Sequence, residues 1–213
     1  MPAHIEIAGA SVDISHLAPT QHLVDVPLRG GYLKTIPVEI AYTNHCYSRM
    51  PRAAIGERIC RAYVVMDGRK QRLFCDRRYS LSLHLPRIMS ELVRSENPVW
   101  SIPGNNFVQV ELVEEEGTRA RATVNYYVMM RIWKCVVPNE PKCVKVRVET
   151  AFPEDLLFYA KPVLKKPFSF RKLLACVCEG RDHNAPDARA VRGAKAKRGH
   201  RKANAPCGRG RSE

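Results

Sequence analysis

The chain has 213 residues with 45% hydrophobic and 26% charged side chains, the balance of a globular domain rather than of a disordered one. No run of 18 apolar residues is present, which excludes a conventional membrane-spanning helix. Thirty-five Lys and Arg against 21 Asp and Glu leave a net charge of +14, which favours polyanionic partners over cationic ones.

In chain order, residues 1–36 read as irregular structure with one strand. Val24, Val26 and Leu28 alternate with Asp25 and Pro27 before Gly30-Gly31 breaks the pattern. Pro27 places that strand at a sheet edge, because proline cannot donate to a ladder. Val38, Ile40 and Tyr42 mark a second strand, running into Asn44-His45-Cys46-Tyr47. Residues 61–66 form a third, closed by the Asp67-Gly68 turn signal. Leu85, Ile88, Met89, Leu92 and Val93 recur at i, i+3, i+4, i+7, i+8, which predicts a helix with Pro86 in its first turn and a stop at Asn97-Pro98.

The second half reads as strands. Val108, Val110 and Leu112 alternate, and then Val124, Tyr126, Val128, Met130 and Ile132 make the longest apolar stripe. Val144, Val146 and Val148 alternate with Lys145, Arg147 and Glu149. The connection Val137-Pro138-Asn139-Glu140-Pro141 is too short for a crossover, so the last two strands form an antiparallel hairpin. Centring that hairpin on Pro138-Asn139 sets Arg131 opposite Arg147, Trp133 opposite Lys145 and Cys135 opposite Cys143. Residues 168–177 carry both signals: Ser169 suits a helix cap and Gly180 a helix end, yet Phe168 and Phe170 alternate as in a strand. Beyond Gly180 the only large aliphatic residue is Val191, so residues 181–213 are expected to be a disordered tail. That tail holds ten Lys and Arg against three acids, half of the net charge. The expected fold is therefore α+β: a mainly antiparallel sheet with one helix over residues 1–180, and a disordered basic C-terminal tail over 181–213.

Eight dispersed cysteines, without any C-x-x-C pair, suit buried free thiols better than a disulfide framework or a zinc module. Whether Cys135 and Cys143 pair stays open. Met1–Glu6 lacks the basic-then-apolar order of a signal peptide, which makes the cytoplasm the expected compartment. No P-loop, G-x-S-x-G, H-E-x-x-H or dinucleotide fingerprint occurs, so no cofactor or metal is expected, and nucleotide hydrolysis and oxidoreduction lack support.

Candidate chemistry lies in three places. His45, at a strand end among polar groups, is the acid–base candidate, since imidazole titrates near neutrality. The neighbouring Cys46 points elsewhere if the pair lies on a strand, which makes a poor His–Cys dyad. The hairpin face shows Arg131, Arg147, Lys145, Tyr127 and Trp133. It is either a solvated face on which Glu149 compensates the opposed arginines, or a phosphate site with aromatics for base stacking. Arg77 and Arg78 are either surface or capping residues or a phosphate clamp. Lys197, Arg198, Arg201, Lys202, Arg209 and Arg211 supply tail cations for DNA or RNA, and Arg209-Gly210-Arg211 has the centre of an AT-hook without its flanking prolines.

Two resemblances follow from these residues. Asn44-His45-Cys46-Tyr47-Ser48, with the run from Phe74-Cys75-Asp76-Arg77-Arg78 to Leu85-Pro86, resembles uncharacterised bacterial proteins described as stationary-phase growth adaptation proteins; it spans roughly residues 20–178 and implies no activity. The long strand, short loop and Val146-Arg147-Val148-Glu149-Thr150-Ala151-Phe152-Pro153 is similar to the closing hairpin of small toxin ribonucleases related to barnase, RelE and EndoU. That likeness implies one helix packed on an antiparallel sheet and metal-free RNA cleavage through attack of the 2′-hydroxyl. Thr150 would hold the phosphate, Arg147 or Arg131 would offset its charge, and His45 would move the proton. Phe152 stands where a tyrosine is usual, and Thr150 shares parity with the buried valines unless the strand ends or bulges there. The expected function is nucleic-acid binding, with metal-independent ribonuclease activity as its sharper form; the alternative is a non-catalytic regulatory or scaffold protein that uses its basic tail to bind DNA, RNA or acidic partners.

Overall fold

The computed structural model describes residues 2–52, 56–95, 97–102, 106–116, 121–135, 143–154 and 162–181. The tail residues Lys197, Arg198, Arg201, Lys202, Arg209 and Arg211 lie outside them, as does the loop centred on Pro138-Asn139.

The chain opens with a hairpin of β1 (His4–Ile7) and β2 (Ala10–Asp13), where a single later strand was expected before residue 37. Each strand has only four residues, too short for alternation to stand out. Its two-residue turn has positive φ at both Ala8 (52°) and Gly9 (79°), the conformation that matches strand twist. Alanine adopts this region at a cost of roughly 1–2 kcal/mol. Ala8→Gly is expected to raise stability in urea by up to about 1 kcal/mol, since glycine removes the Cβ clash but adds chain entropy. A clear loss of stability would count against this turn.

β3 (Thr20–Pro27) and β4 (Leu33–Tyr42) follow, then a two-residue β5 (Ser48–Arg49), β6 (Val64–Asp67) and β7 (Lys70–Phe74). β6 starts at Val64 rather than Arg61, because residues 61–63 form one 3₁₀ turn. The helices α1 (Asp76–Ser82) and α2 (Leu85–Arg94) come next, followed by β8 (Pro98–Ile102), β9 (Asn106–Glu116), β10 (Arg121–Cys135), β11 (Cys143–Pro153), β12 (Pro167–Ser169) and α3 (Phe170–Glu179).

Among the described residues two further helices, α1 and α3, accompany the expected α2. In α1 the buried positions are Arg78, Leu81 and Ser82, so two polar side chains occupy the inward face and no apolar stripe is visible in the sequence. In α3 both conflicting signals hold on either side of one boundary: Pro167–Ser169 is strand, and Phe170, Leu173, Leu174 and Cys178 then form a buried helical face that ends at Gly180 with φ 66°. The α2 stripe is as expected, with Leu85, Ile88, Met89, Leu92 and Val93 all buried. Burial of each such side chain stabilises by roughly 1.5–3 kcal/mol.

The main sheet has seven strands in the order β12-β8-β9-β10-β11-β4-β3, and a small one has the order β5-β7-β6. β3 with Pro27 is an edge strand, as expected. The sheet is mixed rather than purely antiparallel, because β11 pairs with β4 in parallel. Parallel neighbours need a long crossover, and everything from β5 to β10 supplies it. The valines of β4 and β11 meet the inward positions of β3, α2 and α3 in one core that includes Val26, Val38, Val146, Ile88 and Leu174. On the opposite face Ile102, Val108, Tyr127 and Phe152 form a smaller cluster.

The β10–β11 register is the expected one: Arg131 faces Arg147, Trp133 faces Lys145, and Cys135 faces Cys143. It shifts by one residue between Met130, which faces Val148, and Met129, which faces Thr150. Glu149 is the extra residue of a β-bulge.

Candidate functional site

The bulge determines what the end of β11 presents. Before it, Val144, Val146 and Val148 enter the main core; after it Ala151 does, and Thr150 and Phe152 turn to the other face. Thr150 thus leaves the parity of the valines and joins the face of Arg147. At the same level β4 ends and the chain makes a 3₁₀ turn, Asn44–Cys46. Thr43 fastens that turn to the bulge. Its backbone N–H donates to the Val148 carbonyl (3.1 Å), its hydroxyl donates to the Glu149 carbonyl (2.6 Å), and the hydroxyl accepts from the His45 N–H (3.3 Å).

Two buried arginines complete the arrangement. Arg78, from α1, donates through Nη1 to the carbonyls of His45 (2.9 Å) and Ser48 (2.8 Å), with the Thr150 hydroxyl at 3.4 Å. Its guanidinium lies 5.7 Å from the centre of the Phe152 ring. Arg72, from β7, donates to the Ser48 hydroxyl (2.9 Å) and carbonyl (3.1 Å). Arg72, Arg78, His45, Thr150 and Phe152, with Arg52, line a cavity of about 400 Å³. Among the described residues lining it there is no carboxylate. Buried guanidinium groups around a small concavity favour an anion.

The backbone at Arg52 is fixed by a carboxylate that lies outside the cavity's lining. Glu57 accepts from both terminal nitrogens of Arg49 (2.6 and 2.5 Å) and from the Arg52 N–H (2.8 Å). These donors, Arg49 first, pull its carboxyl down to about 2.

His45 has an orienting partner. Its Nε2–H donates to Asp67 Oδ2 at 2.7 Å, and that bond holds the Asp67 carboxyl below its usual range. Asp67 therefore stays ionised at neutral pH. With Nε2 carrying the hydrogen, Nδ1 is the basic nitrogen. Cys46 beside it is fully buried, and burial pushes its thiol up to about 12, so it is no thiolate nucleophile.

The hairpin arginines sit on the same sheet face and share one carboxylate, that of Glu149. Arg147 donates to Glu149 Oε1 through Nε (3.0 Å) and Nη2 (2.7 Å), and Arg131 Nε approaches the same oxygen at 3.3 Å. Arg147 also stacks 5.5 Å from the Trp133 ring centre, and Lys145 pairs with Glu39 at 3.1 Å. Arg77 is exposed and does not line the cavity. The seven described cysteines are free thiols, Cys135 and Cys143 among them.

The structure thus brings together His45, Arg78 and Thr150 from the residues singled out in sequence. It adds Arg72, Arg52 and Asp67, which sequence reasoning missed. Asp67 was legible only as a turn residue. Arg72 lies between Gln71 and Leu73 in a strand whose last three residues are all buried, and no periodicity marks a buried arginine there.

No helix among the described residues is long and apolar enough to cross a membrane. No curated protein and no solved structure matches the chain. One family model does, over residues 4–178, that of the YjaZ family.

Proposed function

For this chain, which belongs to the YjaZ family by that match, we propose nucleic-acid binding with metal-independent RNA cleavage in the cavity joining His45 to Arg72, Arg78 and Thr150. The observation that carries the reading is the placement of an Asp67-oriented imidazole beside a cavity walled by buried arginines, with no carboxylate among the described residues that line it. The likeness of the end of β11 to the closing hairpin of small toxin ribonucleases points the same way.

In this reading His45 Nδ1 takes the proton of a 2′-hydroxyl, whose oxygen forms a bond to the adjacent phosphorus as the bond to the 5′-oxygen breaks. The 5′-oxygen takes a proton from solvent, and His45 returns its own. The products are a 2′,3′-cyclic phosphate and a free 5′-hydroxyl. Arg78 and Arg72 offset the charge that grows on the phosphoryl oxygens, and Thr150 donates a hydrogen bond to one of them. Arg147 and Arg131, already bonded to Glu149, set the field around the cavity rather than gripping the phosphate.

The second reading is a non-catalytic regulatory protein anchored to nucleic acid by its tail, favoured by the concentration of half the net charge in residues 181–213. Incubating the full chain with end-labelled RNA in EDTA separates the two. Cyclic-phosphate products are expected; intact RNA with retained binding would leave the anchored binder. A chain ending at Gly180 is expected to bind mixed-sequence RNA at least about tenfold more weakly at low salt, with a shallower salt slope and an unchanged cleavage pattern.

A further inference from the structure

Cys135 and Cys143 face each other at the loop end of the β10–β11 ladder. By the two-residue period of a strand they continue the face of the Arg131–Arg147 and Trp133–Lys145 pairs. Among the described residues no other two cysteines meet across a ladder. Cys176 and Cys178 stand two positions apart on α3, a spacing at which helical side chains do not face each other. Cys46 is fully buried, whereas Cys135 and Cys143 are only partly covered and open to small reagents.

Directly opposed residues of an antiparallel ladder hold their Cβ atoms about 4.5–5.5 Å apart, close to the roughly 3.5–4.5 Å that a disulfide spans. Cys143 already donates its S–H to the Cys135 sulfur, so the two free thiols are in contact. Burial first, and then that bond, hold the Cys143 thiol above its ordinary range. Cys135 receives the bond, which leaves it as the attacking sulfur and Cys143 as the resolving one. The Lys145 ammonium, paired with Glu39 at 3.1 Å, favours negative charge on both sulfurs, and the Glu39 carboxylate opposes it at Cys143.

The geometry points to Cys135 and Cys143 as a reversible oxidation site, closed by a small-molecule disulfide such as oxidised glutathione. Cys135 gives its proton to solvent and attacks one sulfur of oxidised glutathione. A mixed disulfide forms, the S–S bond of the reagent breaks, and one glutathione thiolate leaves. Cys143 then gives up its proton and attacks the Cys135 sulfur, which expels the second glutathione thiolate. The two thiolates take up the two protons. The chain has lost two electrons and two protons, and oxidised glutathione has become two molecules of the reduced thiol. The bond ties the loop end of the hairpin and removes freedom from the unfolded chain, and excess reduced glutathione reverses it. None of this depends on the proposed RNA chemistry.

The experiment equilibrates the full chain with glutathione mixtures of graded ratio, blocks remaining thiols with N-ethylmaleimide, and digests the product with trypsin for mass spectrometry. Cleavage after Lys134 and Lys142 separates the two cysteines, so their disulfide joins residues 135–142 to residues 143–145. Half formation of that joined peptide is expected at no more than about a tenth of the oxidised glutathione that caps half of the exposed Cys60, because opposed thiols meet at high effective concentration. In Cys143→Ser, Cys135 is expected to carry glutathione at the ratio that caps Cys60. The oxidised wild-type chain is expected to unfold at higher urea than the reduced one. A joined peptide that needs as much oxidant as Cys60, Cys135 linked to a different cysteine, an unmodified Cys135 in Cys143→Ser, or a lower urea midpoint after oxidation would each overturn the assignment.

Discussion

His45→Gln is expected to lower RNA cleavage by about 10²–10⁴-fold while leaving RNA affinity within about twofold. Glutamine keeps a polar side chain at the end of β4 and can still donate to Asp67, but it has no nitrogen that accepts a proton near neutral pH. Cleavage falls because the base is gone; binding persists because the arginines and the tail are untouched. Asp67→Asn is the companion. An amide removes the charge that stabilises the imidazolium and can donate to Nε2, favouring the tautomer with hydrogen on Nδ1. Cleavage should drop again, with the product unchanged. Initial rates on end-labelled RNA in EDTA, beside fluorescence anisotropy for binding, check both. A His45→Gln protein that cleaves at the wild-type rate would remove imidazole from the chemistry and the ribonuclease reading with it.

Arg78→Met is expected to cost about 3–5 kcal/mol of stability, a large effect for one substitution. The methionine fills part of the volume but withdraws the donor shared by the carbonyls of His45 and Ser48. Two acceptors and the 3₁₀ turn that carries His45 lose their tie to α1. Arg78→Lys is expected to recover less than half of the loss, since an ammonium cannot reproduce the planar spread of guanidinium donors. The contrast is Arg147→Ala on the hairpin face. Arg147 is half exposed and bonded to a carboxylate that also has Arg131, so its removal should shift stability by no more than about 1 kcal/mol. Urea unfolding of the three variants decides the matter. A loss below about 1 kcal/mol for Arg78→Met would mean that Arg78 is a surface cation and does not hold the site together.

The two expectations differ in how each residue was visible beforehand. His45 was legible as a polar residue at a strand end, whereas Thr150 stood on the parity of the buried valines and came into view only through the likeness to the closing hairpin of small toxin ribonucleases. Arg78 was legible only as one of two adjacent arginines, and burial separates them: Arg78 is enclosed while Arg77 remains on the surface. Arg131 and Arg147 looked equally suited to phosphate, yet Glu149 bonds both. The same glutamate, as the bulge residue, moves Thr150 to the face of the cavity.

Local pattern by itself determined the α2 stripe, the edge position of β3, and the β10–β11 register down to the Cys135–Cys143 pair. Those features depend on side-chain period, on proline chemistry and on a short connection, all of which lie within a few residues of one another. Tertiary structure alone decided the parallel joining of β4 to β11, the helical state of α1 and the composition of the site. His45 and Asp67 are 22 residues apart, and Arg78 and Thr150 are 72 apart. Such contacts form only when the distant elements come together, and a buried arginine leaves no periodic trace in the sequence because its burial is set by partners far away in the chain.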